Sequence, residues 1–297
     1  PSGDDPVIQF DLNDGNNVYM GWRTGTNRLY KSTDAGATFS QMTGGPNTIR
    51  RITSGTNGKI YMTDADGGTQ NVWRLVGTTF TNLTLSLNLT FHTVAVSPVN
   101  PDRVTVQFGA GNIDTSLDGG DTWGGMYASA PIRESSADIQ WLEWTNEDSM
   151  SSGDIAYDPI TEDKLWFAEG IGVWYTTPPL NNAQPTWTSQ TRGHEELIIN
   201  DMRWPPGKRP SLVTQDRGIF RLDSFAAYPA THGPGRTVAL QHAYGMDYAS
   251  SDPDYIAASN IGGPGHFYTD DGGATYTAFA AQPTGTGGSF AVLTPLN

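Results

Sequence analysis

The stretch "RESSADIQWLEWTNEDSMSSGD", residues 133 to 154, sets Glu134, Glu143, Glu147 and Asp148 among two indoles, Trp141 and Trp144. Carboxyl groups are the side chains that exchange protons with a sugar oxygen or a water when held beside a glycosidic bond. Indole faces stack on the apolar faces of pyranose rings, so two tryptophans three positions apart beside carboxylates make an arrangement that a glycan cleft would use. The alternative is that one tryptophan is core and the acids are solvated, which is how most exposed carboxylates live. Other chemistries lack their residues. There is no cysteine, hence no thiolate nucleophile or thiolate metal site, and no two of the five histidines have ligand spacing with a third group nearby. No metal and no cofactor is expected. A Ser–His–Asp triad is recognised by geometry and cannot be read from the order of residues.

Whatever does the chemistry must be positioned by a repeat. "STDAGATF" (32 to 39) returns as "SLDGGDTW" (116 to 123) and as "TDDGGATY" (269 to 276). With Tyr30, Trp73, Asp114, Trp174, Phe220 and Phe267 taken as equivalent, the steps are 43, 41, 60, 46 and 47 residues. Four strands and their turns fill such a period, the size of a propeller blade. An offset signal agrees: 94 to 108, 155 to 169 and 246 to 259 each read strand, proline-containing turn, strand. The expected fold is an all-β propeller of about six or seven four-stranded blades, with "GGSFAVLTPLN" (287 to 297) opening the seventh. Residues 133 to 154 lie in the long step, where a rigid scaffold would carry a functional loop.

In "S-x-D-x-G-x-T-aromatic" the Asp carboxylate can accept backbone N–H groups, the Gly supplies a positive φ, the hydroxyls tie down neighbouring amides, and the aromatic fills the space beneath. Asp34 and Gly36, Asp118 and Gly120, and Asp271 and Gly273 are therefore read as structural. Composition narrows the partners. The 31 acidic residues against 17 basic ones, only four of them Lys, give a net charge of −14, which repels nucleic acid and an anionic membrane alike. An acidic surface suits a soluble, secreted protein working on a neutral polysaccharide or oligosaccharide. No apolar run approaches membrane-spanning length. The chain starts at Pro1, without an initiator Met or a signal-like segment, so a leader has been removed or this is a piece of something larger.

The repeated octapeptide resembles the Asp-box of β-propellers, found in sialidases, sortilin-like receptors, photosystem assembly factors and glycoside hydrolase family 74. A sialidase would need an arginine trio and an early Arg-Ile-Pro element, and "PIRESS" (131 to 136) holds those pieces in the wrong order. Three stretches are similar to family 74, in the family's order: "GKIYMTDADGGTQNVWRL" (58 to 75), "SGDIAYDPITEDKLWFAEGIGVWYTT" (152 to 177) and "TRGHEELIINDMRWPPGKRPSLVTQDRGIFRLDSF" (191 to 225). That resemblance implies a xyloglucan-cleaving, inverting hydrolase with the glycan in a cleft between two propellers. The chain is then one ring (1–297) or, arranged like the family, later blades of a first propeller (1–190) and opening blades of a second (191–297), another propeller domain or chain completing the cleft.

By the same resemblance Asp216, in "QDRGIF", is the general acid, although the family's Gly-Gly is here Arg217-Gly218. The family's other carboxylate, from its first blade, has no counterpart. Glu143 or Glu147 then supplies the base, and Trp141 and Trp144 carry the sugar. Glu195 and Glu196 match a family Glu-Glu and are read as structural, while Asp247 sits on a strand that faces the channel. The missing first carboxylate favours a rival reading, a non-catalytic glycan-binding or structural (virion or scaffold) propeller.

Overall fold

The computed structural model describes residues 6–26, 28–64, 71–83, 91–108, 112–124, 133–134, 139, 152–169, 172–177, 186–194, 196–215, 218–229, 232–233, 243–260 and 266–281. Among them every regular element is a strand, as expected of short Thr-, Val- and aromatic-rich runs divided by Gly and Pro. Residues 287–297 and their expected strand lie outside the described residues.

The strands form six sheets. β1 (Pro6–Phe10), β2 (Val18–Trp22), β3 (Leu29–Ser32) and β4 (Ser40–Gln41) make sheet 1; β5 (Arg51–Ser54), β6 (Lys59–Thr63), β7 (Val72–Val76) and β8 (Thr79–Asn82) make sheet 2. Sheet 3 holds β9 (Phe91–Val96), β10 (Val104–Phe108) and β11 (Asn112–Ser116). Sheet 4 comprises β12 (Arg133–Glu134), β13 (Ser152–Tyr157), β14 (Leu165–Glu169), β15 (Gly172–Thr176) and β16 (Thr186–Ser189), β12 pairing in parallel with β16 at the outer edge. Sheet 5 is β17 (Ile199–Arg203), β18 (Ser211–Thr214), β19 (Gly218–Arg221) and β20 (His232–Gly233); sheet 6 is β21 (Ala243–Ala249), β22 (Asp252–Asn260), β23 (Phe267–Thr269) and β24 (Thr277–Ala278). Apart from the β12 edge, each strand pairs antiparallel with its neighbour in sequence. The six aligned positions Tyr30, Trp73, Asp114, Trp174, Phe220 and Phe267 all fall in the third strand of a sheet, the β12 edge of sheet 4 left uncounted.

Two compact units divide the chain, one of Pro1–Ser136 and Asp148–Gln190, the other of Ala137–Glu147 and Thr191–Asn297. In the first, the opening strands β1, β5, β9 and β13 lie side by side in turn; in the second, β17 lies beside β21. Within each unit, neighbouring sheets thus stack face to face, which requires strands buried on both faces. β6 illustrates it: Ile60 and Met62 join Tyr19, Leu29, Ile49 and Ile52 between sheets 1 and 2, while Tyr61 points the other way, into the core that Val94, Val104, Val106 and Phe108 build between sheets 2 and 3. A hydroxyl contact crosses between sheets 3 and 4: Thr105 Oγ1 lies 2.8 Å from Thr115 Oγ1 in its own sheet and 2.6 Å from Tyr157 Oη on sheet 4. In the second unit Val213, Ile219, Met246, Ile256 and Phe267 close the core between sheets 5 and 6.

The three octapeptide turns follow β3, β11 and β23. In the second, Ser116 Oγ donates to Asp118 Oδ1 (2.8 Å), Gly120 N donates to Ser116 Oγ (2.7 Å), and Thr122 donates to Asp118 through N (2.8 Å) and Oγ1 (2.5 Å). The same bonds recur about Asp34 and Asp271. Gly36, Gly120 and Gly273 have φ of 92°, 91° and 89°, a left-handed conformation that costs glycine nothing. Hydrogen bonds from Ser32 and Thr38 hold the Asp34 carboxyl down to about 2. Desolvation pushes Asp118 up, but bonds from Thr122 and Ser116 outweigh it and leave it at about 2; Asp271 is also lowered, chiefly by Thr269.

These turns also fasten sheet to sheet. Gly119 O accepts from Arg74 Nη1 (2.7 Å) and Tyr61 Oη (3.0 Å) of the preceding sheet, and Gly119 N donates to Asp102 O (2.7 Å). Gly272 repeats the pattern with Arg221 (3.4 Å) and Asp254 O (3.0 Å). Trp123 and Tyr276 pack back onto the core shared with the preceding sheet, as a space-filling aromatic should. Phe39 of the first turn is half-buried.

Candidate functional site

In each sheet one end gathers the start of the first strand and the turn from the second strand to the third; the octapeptide turns sit at the other end. The β18–β19 turn, where Asp216 falls, is of the first kind. Asp216 and Arg217 lie outside the described residues, but the frame around them is defined. Thr214 and Gly218 close the hairpin as a pair, with Thr214 Oγ1 donating to Gly218 O at 3.0 Å and Gly218 at a φ of 77°. Gln215 N donates to Ile198 O (2.8 Å). Asn200 Nδ2, on β17, donates to Ala243 O (2.7 Å) and to Gln215 Oε1 (3.3 Å), tying the turn to the start of β21. Thr214, Gln215 and Gly218, on the two flanks of this turn, are thus each held by hydrogen bonds or strand pairing.

Glu143, Glu147, Asp148, Trp141 and Trp144 also lie outside the described residues, as does Glu195. Of the stretch between β12 and β13, Ile139 is described and is fully buried. Glu196 is exposed. Asp247, on β21, is half-buried with Oδ1 at 3.5 Å from Arg203 Nε. Arg203 Nη1 in turn meets Asp201 Oδ1, and the other oxygen of Asp201 accepts from Met246 N (3.1 Å). Two carboxylates on the opening strands of sheets 5 and 6 therefore share one guanidinium.

The first unit holds a second constellation that sequence reasoning passed over. A depression of about 290 Å³ is lined by Pro6 to Gln9 of β1, Arg51 to Thr53 of β5, Val94 of β9, and Asp154 and Ile155 of β13. At its rim Asp154 forms an ion pair with Arg51 and accepts from Arg51 Nε (3.1 Å), Thr93 Oγ1 (2.7 Å) and Ile155 N (3.0 Å). Arg51 and Asp154 are 103 residues apart, so no local pattern could pair them. Beside them Trp22 O accepts from Ile49 N (2.7 Å), which brings Arg23 next to Arg50, and Arg50 Nη1 reaches Phe91 O (3.5 Å) next to His92. Burial first, then the charges of Arg50 and Arg23, push the His92 pKa below its ordinary value and favour the neutral imidazole. The available signal was "IRRIT" (49 to 53), two adjacent arginines in a chain with few cations.

Among the described residues no group of three or more His, Asp or Glu is placed to hold a metal ion, and no helix is long and apolar enough to cross a membrane.

No family model matches the chain. In sequence it is similar to a xyloglucanase of Acetivibrio thermocellus, 25% identical over 81% of this chain and 33% of the relative, and to a xyloglucanase of a Paenibacillus species, 24% identical over 95% of this chain and 32% of the relative. The chain thus spans about a third of the length of these relatives. In structure it is similar to the glycoside hydrolase family 74 enzyme of Niastella koreensis, with a TM-score of 0.73 and 24% identity over 95% of this chain and 44% of that one. The family 74 xyloglucanase of Xanthomonas campestris gives a TM-score of 0.76 at 21% identity, covering 95% and 45%. The fold is all-β, built of antiparallel sheets of the β-propeller kind.

Proposed function

We propose that the chain is part of a secreted glycoside hydrolase that cleaves a β-glucan such as xyloglucan with inversion. The observation that carries this reading is the similarity to two xyloglucanases over 81% and 95% of the chain. In an inverting reaction one carboxylic acid protonates the leaving oxygen while a carboxylate about 6.5 to 9.5 Å away activates water on the opposite face of the ring. We assign Asp216 to the acid, Glu143 or Glu147 to the base, and Trp141 and Trp144 to stacking on the sugar. The hydrogen bonds that hold Thr214, Gln215 and Gly218 support the acid assignment, since a proton donor must be kept in place against its substrate. In this reading residues 1–190 are blades of one propeller and 191–297 open another, and the succession of Gln190 and Thr191 at the border of the two compact units supports it. Asp34, Asp118 and Asp271 belong to Asp-boxes and hold blades together.

The test is reducing-sugar release from tamarind xyloglucan by the 297-residue chain and by Asp216→Ala, beside mobility in a xyloglucan affinity gel. Release that drops by at least a hundredfold in the variant, with gel binding retained, is the expected result. Binding without release by either protein would instead support a non-catalytic glycan-binding propeller.

A further inference from the structure

We propose that Trp204 and Phe225 form a second binding platform for a neutral oligosaccharide chain, at the end of sheet 5 opposite the β18–β19 turn; the choice of a β-glucan as probe rests on the reading above. Trp204 follows β17 and Phe225 follows β19, so both lie at the end where the octapeptide turns of other sheets are found. They are among the most exposed large apolar side chains described, at 57% and 71%, and their rings meet at 5.7 Å with planes inclined by 56°. Solvent-exposed aromatics side by side mark a surface that meets a partner.

The platform is built before any ligand arrives. Trp204 Nε1 donates to Lys208 O at 2.9 Å, so the one polar atom of the indole is bonded within the protein and its faces remain for an apolar occupant. The turn beneath it is closed by Lys208 N on Pro205 O (3.0 Å), with Pro206 and Gly207 at its centre and Gly207 at a φ of 73°, the requirements of a type II turn. The segment carrying Phe225 is pinned by Leu222 N on Pro210 O (2.9 Å) and by Arg209 Nη1 on Asp223 O (2.7 Å). Rings held this way lose little freedom on binding.

The rim decides the class of ligand. Lys208 is paired with Asp254 (2.6 Å) and Arg209 with Asp223 (2.9 Å), so each cation beside the rings is matched by a carboxylate. Such a rim offers donors and acceptors without net charge, and a net charge of −14 on the whole chain disfavours polyanions. A pyranose fits both parts: its C–H face lies on the indole while its hydroxyls reach the paired ions at the edge.

The experiment is affinity electrophoresis of the intact chain in gels containing tamarind xyloglucan, hydroxyethylcellulose or no polysaccharide, with Trp204→Ala, Trp204→Phe and Phe225→Ala alongside. Wild type should be retarded, with apparent affinity falling roughly tenfold in Trp204→Ala and less in Trp204→Phe. Phe225→Ala, at the more exposed ring, should melt like wild type and still bind more weakly, which keeps the test alive if Trp204→Ala folds poorly. Equal retardation of wild type and both alanine variants would overturn the platform, as would no retardation of wild type by either polysaccharide. Sugar release with unchanged retardation of the alanine variants would sink this proposal alone. Loss of retardation in the variants, with no sugar release by wild type, would leave the platform standing and remove the hydrolase.

Discussion

The fourth position of the octapeptide turn offers a test of the fold in which the sign of the effect reverses between copies. It is Ala35 in the first turn, at a φ of 57°, and Gly119 and Gly272 in the others, at 73° and 68°. An L-residue in the left-handed region costs about 1 to 2 kcal/mol. Glycine removes that cost but adds about 0.4 to 1 kcal/mol of unfolded-chain entropy. Ala35→Gly should therefore stabilise by about 0.5 to 1 kcal/mol net. Gly119→Ala meets more than strain, because the new Cβ would lie 2.6 Å from Lys59 Nζ and 3.2 Å from Tyr61 Oη. Moving the Lys59 ammonium weakens its pairing with Asp102, now 3.1 Å away, so the total cost is about 2 kcal/mol. Urea unfolding, followed by tryptophan fluorescence, should give a higher midpoint for Ala35→Gly and a lower one for Gly119→Ala with unchanged slope. A lowered midpoint for Ala35→Gly, or a neutral Gly119→Ala, would refute the account of this turn.

Other outcomes follow from the same geometry. The Asp34 and Asp118 carboxyls, both held at about 2, bind fewer protons folded than unfolded; the stability they contribute is complete above about pH 4 and is lost as pH falls towards 2. Thermal midpoints measured from pH 5 to 2 should drop across that window, and less steeply in Asp118→Asn. Trp174→Ala should cost about 3 to 5 kcal/mol, read by chemical denaturation, because the indole is fully buried with Phe167 at 6.1 Å. Arg74→Met keeps the stem but strips Gly119 O of its 2.7 Å donor and Asp121 of its 2.8 Å partner; a loss of about 1 to 3 kcal/mol is expected in the same assay.

The period of the repeat placed Tyr30, Trp73, Asp114, Trp174, Phe220 and Phe267 in third strands without any coordinates, because strand length and turn chemistry are local and recur. The octapeptide was legible as a turn for the same reason: Ser116, Asp118, Gly120 and Thr122 bond within a few residues of one another. Strand–turn–strand units at 94–108 and 246–259 became β9–β10 and β21–β22.

Only the tertiary structure decided what those turns hold. That Gly119 is gripped by Arg74 and Tyr61, and that Asp154 pairs with an arginine 103 residues away, depend on which sheet stacks on which. Even the packing of the turn aromatic is decided there: Trp123 and Tyr276 pack on cores shared with the preceding sheet. Local sequence sets the conformation of a turn through hydrogen bonds a few residues long. The partners that turn meets are set by the stacking of separate sheets, an outcome of burying apolar faces that no short stretch of sequence encodes.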